Sequence, residues 1–295
     1  MSITTIILVI STSVLHVIWN LNLKSSSIKD LYMGLALFAG VLLFSPLGII
    51  SSFYVDMSLK MWGFVFGTTI LHLVYFMSLA YSYKDNDFSV AYPVARGVGI
   101  TLTPLLSIFI LSERPTLLGT LAIIAIIFGA YFIFFMPGSR IFSVNSFREI
   151  FFRRQVLTAF IAAITTAMYH VWDKQALSSE GMFPFPVFYM YLMGVGMSIV
   201  VIPLMIKKYS RTEIFAFGRQ NFFSICVTGI LLYSVYGTIL TMMTFVPLSY
   251  LAPTREVGIV ISIIAGIFFF KEKLNFYKGL GIILILFGVF TMSQV

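Results

Sequence analysis

Six side chains stand out because their neighbours are almost all apolar: Arg96, Arg255, Glu256, His16, His72 and His170. An arginine offers five donors in a planar fork that matches a carboxylate or a phosphate. Arg96 lies within Tyr92–Gly99 (YPVARGVG), where Tyr92 and the glycines can line a cavity, and Arg255 lies within Leu251–Gly258 (LAPTREVG). Each could hold an anionic group of a ligand. Each could instead clamp backbone carbonyls or a gating carboxylate. Glu256 reads as the only carboxylate well inside an apolar stretch. It is a candidate proton carrier, with an ion pair to a neighbouring helix as the alternative. Histidine titrates near neutral pH, so His16, His72 and His170 can relay protons or simply hydrogen-bond across helices. Tyr75 falls one turn from His72 on the same helical face. Trp19 and Trp172 can stack on a cation or anchor at a membrane interface. Asp173 and Lys174 read as a rim pair near a helix end. The chain has no H-E-x-x-H, no G-x-S-x-G and no Walker A loop, which excludes those enzyme classes. Neither a metal nor a cofactor is expected.

The elements that must carry these residues are set by composition. Apolar residues make up 59% of the 295, charged residues only 10%, and the mean hydropathy is +1.00. A soluble domain carries about 25% charged residues to solvate its surface. A bilayer is the solvent that tolerates this chain, so soluble enzymes and disordered regulators are excluded. A spanning helix needs about 20 mostly apolar residues. Ten such stretches are expected, at 3–23, 31–53, 61–82, 88–111, 117–136, 156–175, 185–206, 222–243, 249–270 and 276–294. Strand alternation is absent, which argues against a barrel. The first stretch lacks the basic lead and cleavage site of a signal peptide. Pro93, Pro104 and Pro253 predict kinks in the fourth and ninth helices. Gly63 and Gly67 have the spacing of close helix packing. With one cysteine, Cys226, no internal disulfide can form.

The net charge of +8 belongs to the connections, which argues for cytoplasmic loops rather than nucleic acid. Connections 1–2, 3–4, 5–6, 7–8 and 9–10 hold 14 basic residues, and the other side holds Lys60, Arg114 and Lys174. This predicts an inner (plasma) membrane protein with its basic loops, including 137–155 and 207–221, in the cytoplasm and both termini outside.

The two arginine segments align with each other. An offset of 159 pairs Arg96 with Arg255, Gly99 with Gly258, Glu113 with Glu272, Phe128 with Phe287 and Gly129 with Gly288. Ser13–Asn20 resembles Thr166–Asp173 at an offset of 153, pairing Trp19 with Trp172. Five spans per copy is an odd number, so the second copy enters the bilayer inverted. The fold expected is all-α integral membrane, ten transmembrane helices in two inverted five-helix repeats. The first repeat covers 1–140, a cytoplasmic basic linker 141–155, and the second repeat 156–295. Inverted repeats suit alternating access around a central site.

With these features the chain resembles the drug/metabolite transporter superfamily, and more closely its EamA-type members. The acid–base pairs Glu113-Arg114 and Glu272-Lys273 carry the resemblance, with His16-Val17-Ile18-Trp19-Asn20 and Tyr92–Gly97. The resemblance implies a secondary transporter of small metabolites, with export favoured. Relatives are drawn with both termini in the cytoplasm, the reverse of the loop charges here. The membrane-embedded acid that small multidrug exporters use in their first helix is absent.

The expectation is therefore a secondary active transporter, not an enzyme. It would move a small zwitterionic or anionic metabolite by proton-coupled alternating access, as a monomer or homodimer without nucleic acid. Substrate binding or gating would fall to Arg96, Arg255, His16, Trp19, Tyr75, Tyr92 and His72, and proton coupling to Glu256 and His170. A lipid or lipid-head-group translocator is the first alternative. A non-transporting membrane chaperone or sensor is the second.

Overall fold

The computed structural model describes residues 1–82, 88–135, 154–178, 185–271 and 274–295. Lys84, most of the basic connection 137–155 and the Glu272-Lys273 pair lie outside the described residues. Among the described residues the chain is helical, without a strand. The helices are α1 (Ile3–Ser25), α2 (Lys29–Ser52), α3 (Leu59–Ser82), α4 (Phe88–Ile110), α5 (Leu117–Phe135) and α6 (Arg154–Ala176). They continue as α7 (Pro186–Lys208), α8 (Arg211–Gln220), α9 (Phe222–Met243), α10 (Leu248–Thr254), α11 (Val257–Phe270) and α12 (Phe276–Met292). Helices are the solution that hydrocarbon demands, because each backbone group must find its partner within the protein.

Among the described residues, eight stretches are long and apolar enough to cross a membrane: Ile3–Leu23, Lys29–Ser52, Leu59–Leu79, Leu117–Phe134, Val156–Ala176, Pro186–Lys208, Phe222–Met243 and Leu248–Phe268. Val94–Ile110 and Phe276–Met292 are shorter apolar helices. Phe109, Leu117 and Phe268 are each at least 78% exposed, a surface that lipid solvates and water does not.

The chain divides into two compact units. The first comprises Met1–Ile10, Ile70–Trp172 and Val246–Val295. Its tightest crossing joins α5 and α12. A Cβ on Gly129 would come within 2.7 Å of the Gly281 carbonyl, and one on Gly288 within 2.8 Å of the Ala122 carbonyl. Glycine is required there because the backbone of one helix fills the space of the other's side chains. The amino terminus donates to the Met292 carbonyl at 2.9 Å.

The second unit comprises Ser11–Thr69 and Asp173–Phe245. In it α2 packs against α7 and α9. Gly34 faces Met205, Gly40 faces Tyr233, and a Cβ on Gly229 would meet the Ala36 carbonyl at 2.7 Å. Tyr32, fully buried, shares hydrogen bonds with Ser224 Oγ (2.6 Å) and Thr228 Oγ1 (2.8 Å). The expected role of Gly63 is corrected: among the described residues nothing lies within 4 Å of a Cβ built there, so none of the described helices packs closely against it.

Two features go beyond the sequence reading. Helix α8 occupies the connection between α7 and α9, started by a capping box. The Ser210 side chain takes the Glu213 amide at 3.2 Å, and Glu213 Oε2 takes the Ser210 amide at 2.8 Å. The ninth apolar stretch is not one helix but two, α10 and α11, with Arg255 and Glu256 at the junction. Pro253 has no amide hydrogen to continue the ladder. Glu256 N–H turns instead to the Pro253 carbonyl at 2.9 Å, and Gly258 N–H to the Arg255 carbonyl at 3.1 Å. Among the described residues, two that are not glycine have a left-handed backbone, Ser112 and Lys271, both with φ 54°. Each lies just past a helix, α4 and α11 respectively.

Candidate functional site

The helix junction puts Arg255 and Glu256 in the apolar body of the first unit, each facing a different partner. Arg255 Nη1 lies 3.0 Å from His170 Nε2 of α6. A guanidinium only donates, so Nε2 accepts and the imidazole is neutral with its proton on Nδ1. Glu256 Oε1 lies 3.8 Å from Arg96 Nη1 of α4, a loose ion pair. Its carboxylate side chain is 12% exposed, and the Arg96 side chain is 40% exposed. Adjacent residues at the junction thus reach two different helices.

Aromatic rings continue the cluster. Tyr169 of α6 stacks near His72 of α3 with ring centroids 4.1 Å apart, and meets Tyr75 edge-on at 5.7 Å. His170 follows Tyr169, ring to ring at 4.5 Å. Six of the candidate residues therefore gather in one unit: Arg96, Arg255, Glu256, His170, His72 and Tyr75. Tyr169 links them and was not singled out from the sequence. Its signal was there, as an aromatic beside His170 in a buried stretch of α6, but no spacing rule pairs it with α3. The side chain of Tyr92 lies outside the described ones.

His16 and Trp19 belong to the second unit and meet each other. The Trp19 indole N–H donates to His16 Nδ1 at 3.2 Å, three residues away along α1. Trp19 is only 8% exposed, so within this unit it is a packed residue.

One expectation is corrected. Asp173 and Lys174 are not a solvated rim pair. Asp173 is fully buried, and two phenols donate to it, Tyr189 to Oδ1 at 2.7 Å and Tyr236 to Oδ2. Lys174 Nζ donates to the Met243 carbonyl. The helix end that sequence reading places near water lies under α7 and α9, so the carboxylate finds its partners on other helices. Glu256 is consequently not the only embedded carboxylate.

Among the described residues, no group of His, Cys, Asp and Glu could hold a metal ion.

No curated protein matches the chain. A solved chain, described only as the crystal structure of a protein, is similar over 98% of this chain and 98% of its own, with a TM-score of 0.69 and 15% identity. At that identity the likeness is one of fold. Residues 153–294 match the EamA-like transporter family, and this match, on a chain whose described residues include eight stretches long and apolar enough to cross a bilayer, supports its membership of the drug/metabolite transporter superfamily.

Proposed function

We propose that this chain is a secondary active transporter, built of ten spans in two inverted five-helix repeats, that moves a small zwitterionic or anionic metabolite by proton-coupled alternating access. The repeats are 1–140 and 156–295, joined by a cytoplasmic basic linker at 141–155. Export is the favoured direction. The basic connections face the cytoplasm and both termini lie outside.

The single observation that carries this reading is the charged cluster at the α10–α11 junction. Broken helices at membrane depth occur where they line a cavity, and transporter sites are characteristically made from them. Here the break presents Arg255 and Glu256, and α4 brings Arg96 to the same carboxylate. Embedded charges cost several kcal/mol by insertion scales and serve function by default. The excess of guanidinium over carboxylate in this cluster suits an anionic substrate group. Glu256, lightly paired at 3.8 Å, can exchange its arginine for a proton while Arg96 turns to substrate. Substrate binding or gating is assigned also to His72, Tyr75, Tyr92, His16 and Trp19, and a second proton-coupling role to His170. The left-handed residues give independent support to the repeat: Ser112 and Lys271 are separated by 159, the offset that aligns Arg96 with Arg255.

The test is uptake into proteoliposomes with amino acids, amines and organic acids, each with and without an imposed pH gradient. Uphill accumulation of one class, driven by the gradient, is expected. Movement of labelled phospholipid between leaflets with no solute uptake would overturn the reading.

A further inference from the structure

Asp173 is a fully buried carboxylate in the second unit, outside the arginine cluster. Its two oxygens are taken separately: Oδ1 by the Tyr189 hydroxyl of α7 at 2.7 Å, Oδ2 by the Tyr236 hydroxyl of α9. Both phenols donate, which is the arrangement for an ionised acceptor. The Tyr189 hydroxyl has a second acceptor within reach, the Phe64 carbonyl of α3 at 3.4 Å. One phenol has one proton, so at these distances it serves Asp173 and leaves Phe64. Tyr189 is itself fully buried, whereas Tyr236 is only partly so. The nearby cation, Lys174, is directed to the Met243 carbonyl at the end of α9.

We propose that Asp173 is a proton-binding site in which Tyr189 reverses its hydrogen bond when the proton arrives. The proton from water adds to Oδ1 and no bond to carbon changes. The new Oδ1–H donates to the Tyr189 oxygen, and Tyr189 turns its own hydrogen to the Phe64 carbonyl. Tyr236 continues to donate to Oδ2, which is now the carbonyl oxygen of the acid. In the carboxylate form the Tyr189 hydrogen serves α6, and Thr68 of α3 reaches Met193 Sδ of α7 at 3.7 Å; the acid form adds a hydrogen bond from Tyr189 to the α3 backbone, so the chain runs from α6 through α7 to Phe64. The 3.4 Å gap must close by a few tenths of an ångström to an ordinary O–H···O length. Binding a proton therefore tightens α3 on α7. The inference does not rest on transport, since the site and its readout need no substrate.

The roles of the two phenols differ, and that difference is the test. Tyr236 stabilises chiefly the ionised form, so Tyr236→Phe should raise the titration midpoint of Asp173 by about one pH unit, the worth of one bond to a charged oxygen. Tyr189 serves both forms, so Tyr189→Phe should move it less. The measurement is an infrared pH titration of the purified full-length protein, following the carboxylic-acid C=O band that Asp173→Asn removes. Amide hydrogen exchange in α3 near Phe64 should slow as the band appears in the parent, and stay constant in Tyr189→Phe. A parent and Asp173→Asn with identical bands across the folded pH range would overturn the proposal. So would equal shifts from the two phenylalanine variants. Should Asp173→Asn fail to fold, the Tyr236→Phe titration decides alone: a carboxylic-acid spectrum unmoved from the parent's rejects the site.

Discussion

Glu113 accepts the backbone N–H of Leu248 through Oε1 at 2.7 Å, and its other oxygen takes the next amide, Ser249, at 2.8 Å. A residue just past α4 thereby caps a helix 135 positions away. The first amides of any helix lack internal partners, and in an apolar setting they need one. The capped helix is α10, whose far end carries Arg255 and Glu256. Tyr250 fastens the same loop from the other side, its hydroxyl accepting the Thr116 amide at 2.8 Å. The acid of the Glu113-Arg114 pair is thus a brace for the junction. Glu113→Ala should lower stability by about 2–4 kcal/mol, and Glu113→Gln, which keeps one acceptor oxygen, by about half as much. Thermal unfolding of detergent-purified variants measures both, and an unchanged Glu113→Ala would refute the brace.

Arg96 has the more exposed side chain of the Arg96–Glu256 pair. A charge-assisted contact from it to substrate is worth about 1.5–3 kcal/mol, so Arg96→Ala should weaken binding about 10- to 150-fold. Arg96→Lys keeps the charge without the planar fork and should recover part of that. Affinity and melting temperature on the same preparation separate the roles. A clamp would lose stability and keep its affinity.

Glu256→Gln removes the titratable group while preserving shape. Gradient-driven transport should disappear and substrate exchange should persist. Loss of both in a folded protein would reassign Glu256 to binding or structure. Retained gradient-driven transport would remove it from coupling.

The glycine contacts predict opposite outcomes for the same substitution. Gly129→Ala drives a methyl group against the Gly281 carbonyl and should cost about 1–3 kcal/mol or more in unfolding measurements. Gly63→Ala meets open space inside α3 and should gain about 0.5–1 kcal/mol.

Helix α8 carries its own pH dependence. Hydrogen bonds from the Ser210 hydroxyl and amide hold the Glu213 carboxyl below its usual range. With a folded value below the unfolded one, the stabilisation is present above the ordinary glutamate range and is lost as pH falls through the depressed value. Amide exchange across 211–220 should accelerate on acidification in the parent. In Glu213→Gln that dependence should be gone.

Much of the framework could be read from hydrophobic runs. The stretch expected at 222–243 is α9 at Phe222–Met243, and the one at 31–53 is α2 at Lys29–Ser52. Run length works because a bilayer fixes both the polarity and the length of its helices. The break in the ninth stretch was foreshadowed by Pro253 as a kink, but which residues would occupy the junction depends on i→i+3 bonds that composition does not reveal. Arg255 and Glu256 could be nominated by their cost alone. Their partners, His170 and Arg96, lie 85 and 160 residues away and follow from helix packing. Asp173 escaped for the same reason: Tyr189 and Tyr236 belong to other helices, and a tyrosine in an apolar run looks like bulk until its hydroxyl is located. Helix α8 escaped because ten residues are too few for an apolar period, although Ser210-x-x-Glu213 was its signature.

Ser112 and Lys271 have nothing in common as side chains, one a small hydroxyl and the other a long cation, yet both hold φ at 54°. That torsion costs an ordinary residue about 1–2 kcal/mol, which a glycine would avoid. On the repeat proposed above the two positions are equivalent, so the shared twist would be a trace of duplication that residue identity at these two sites does not carry.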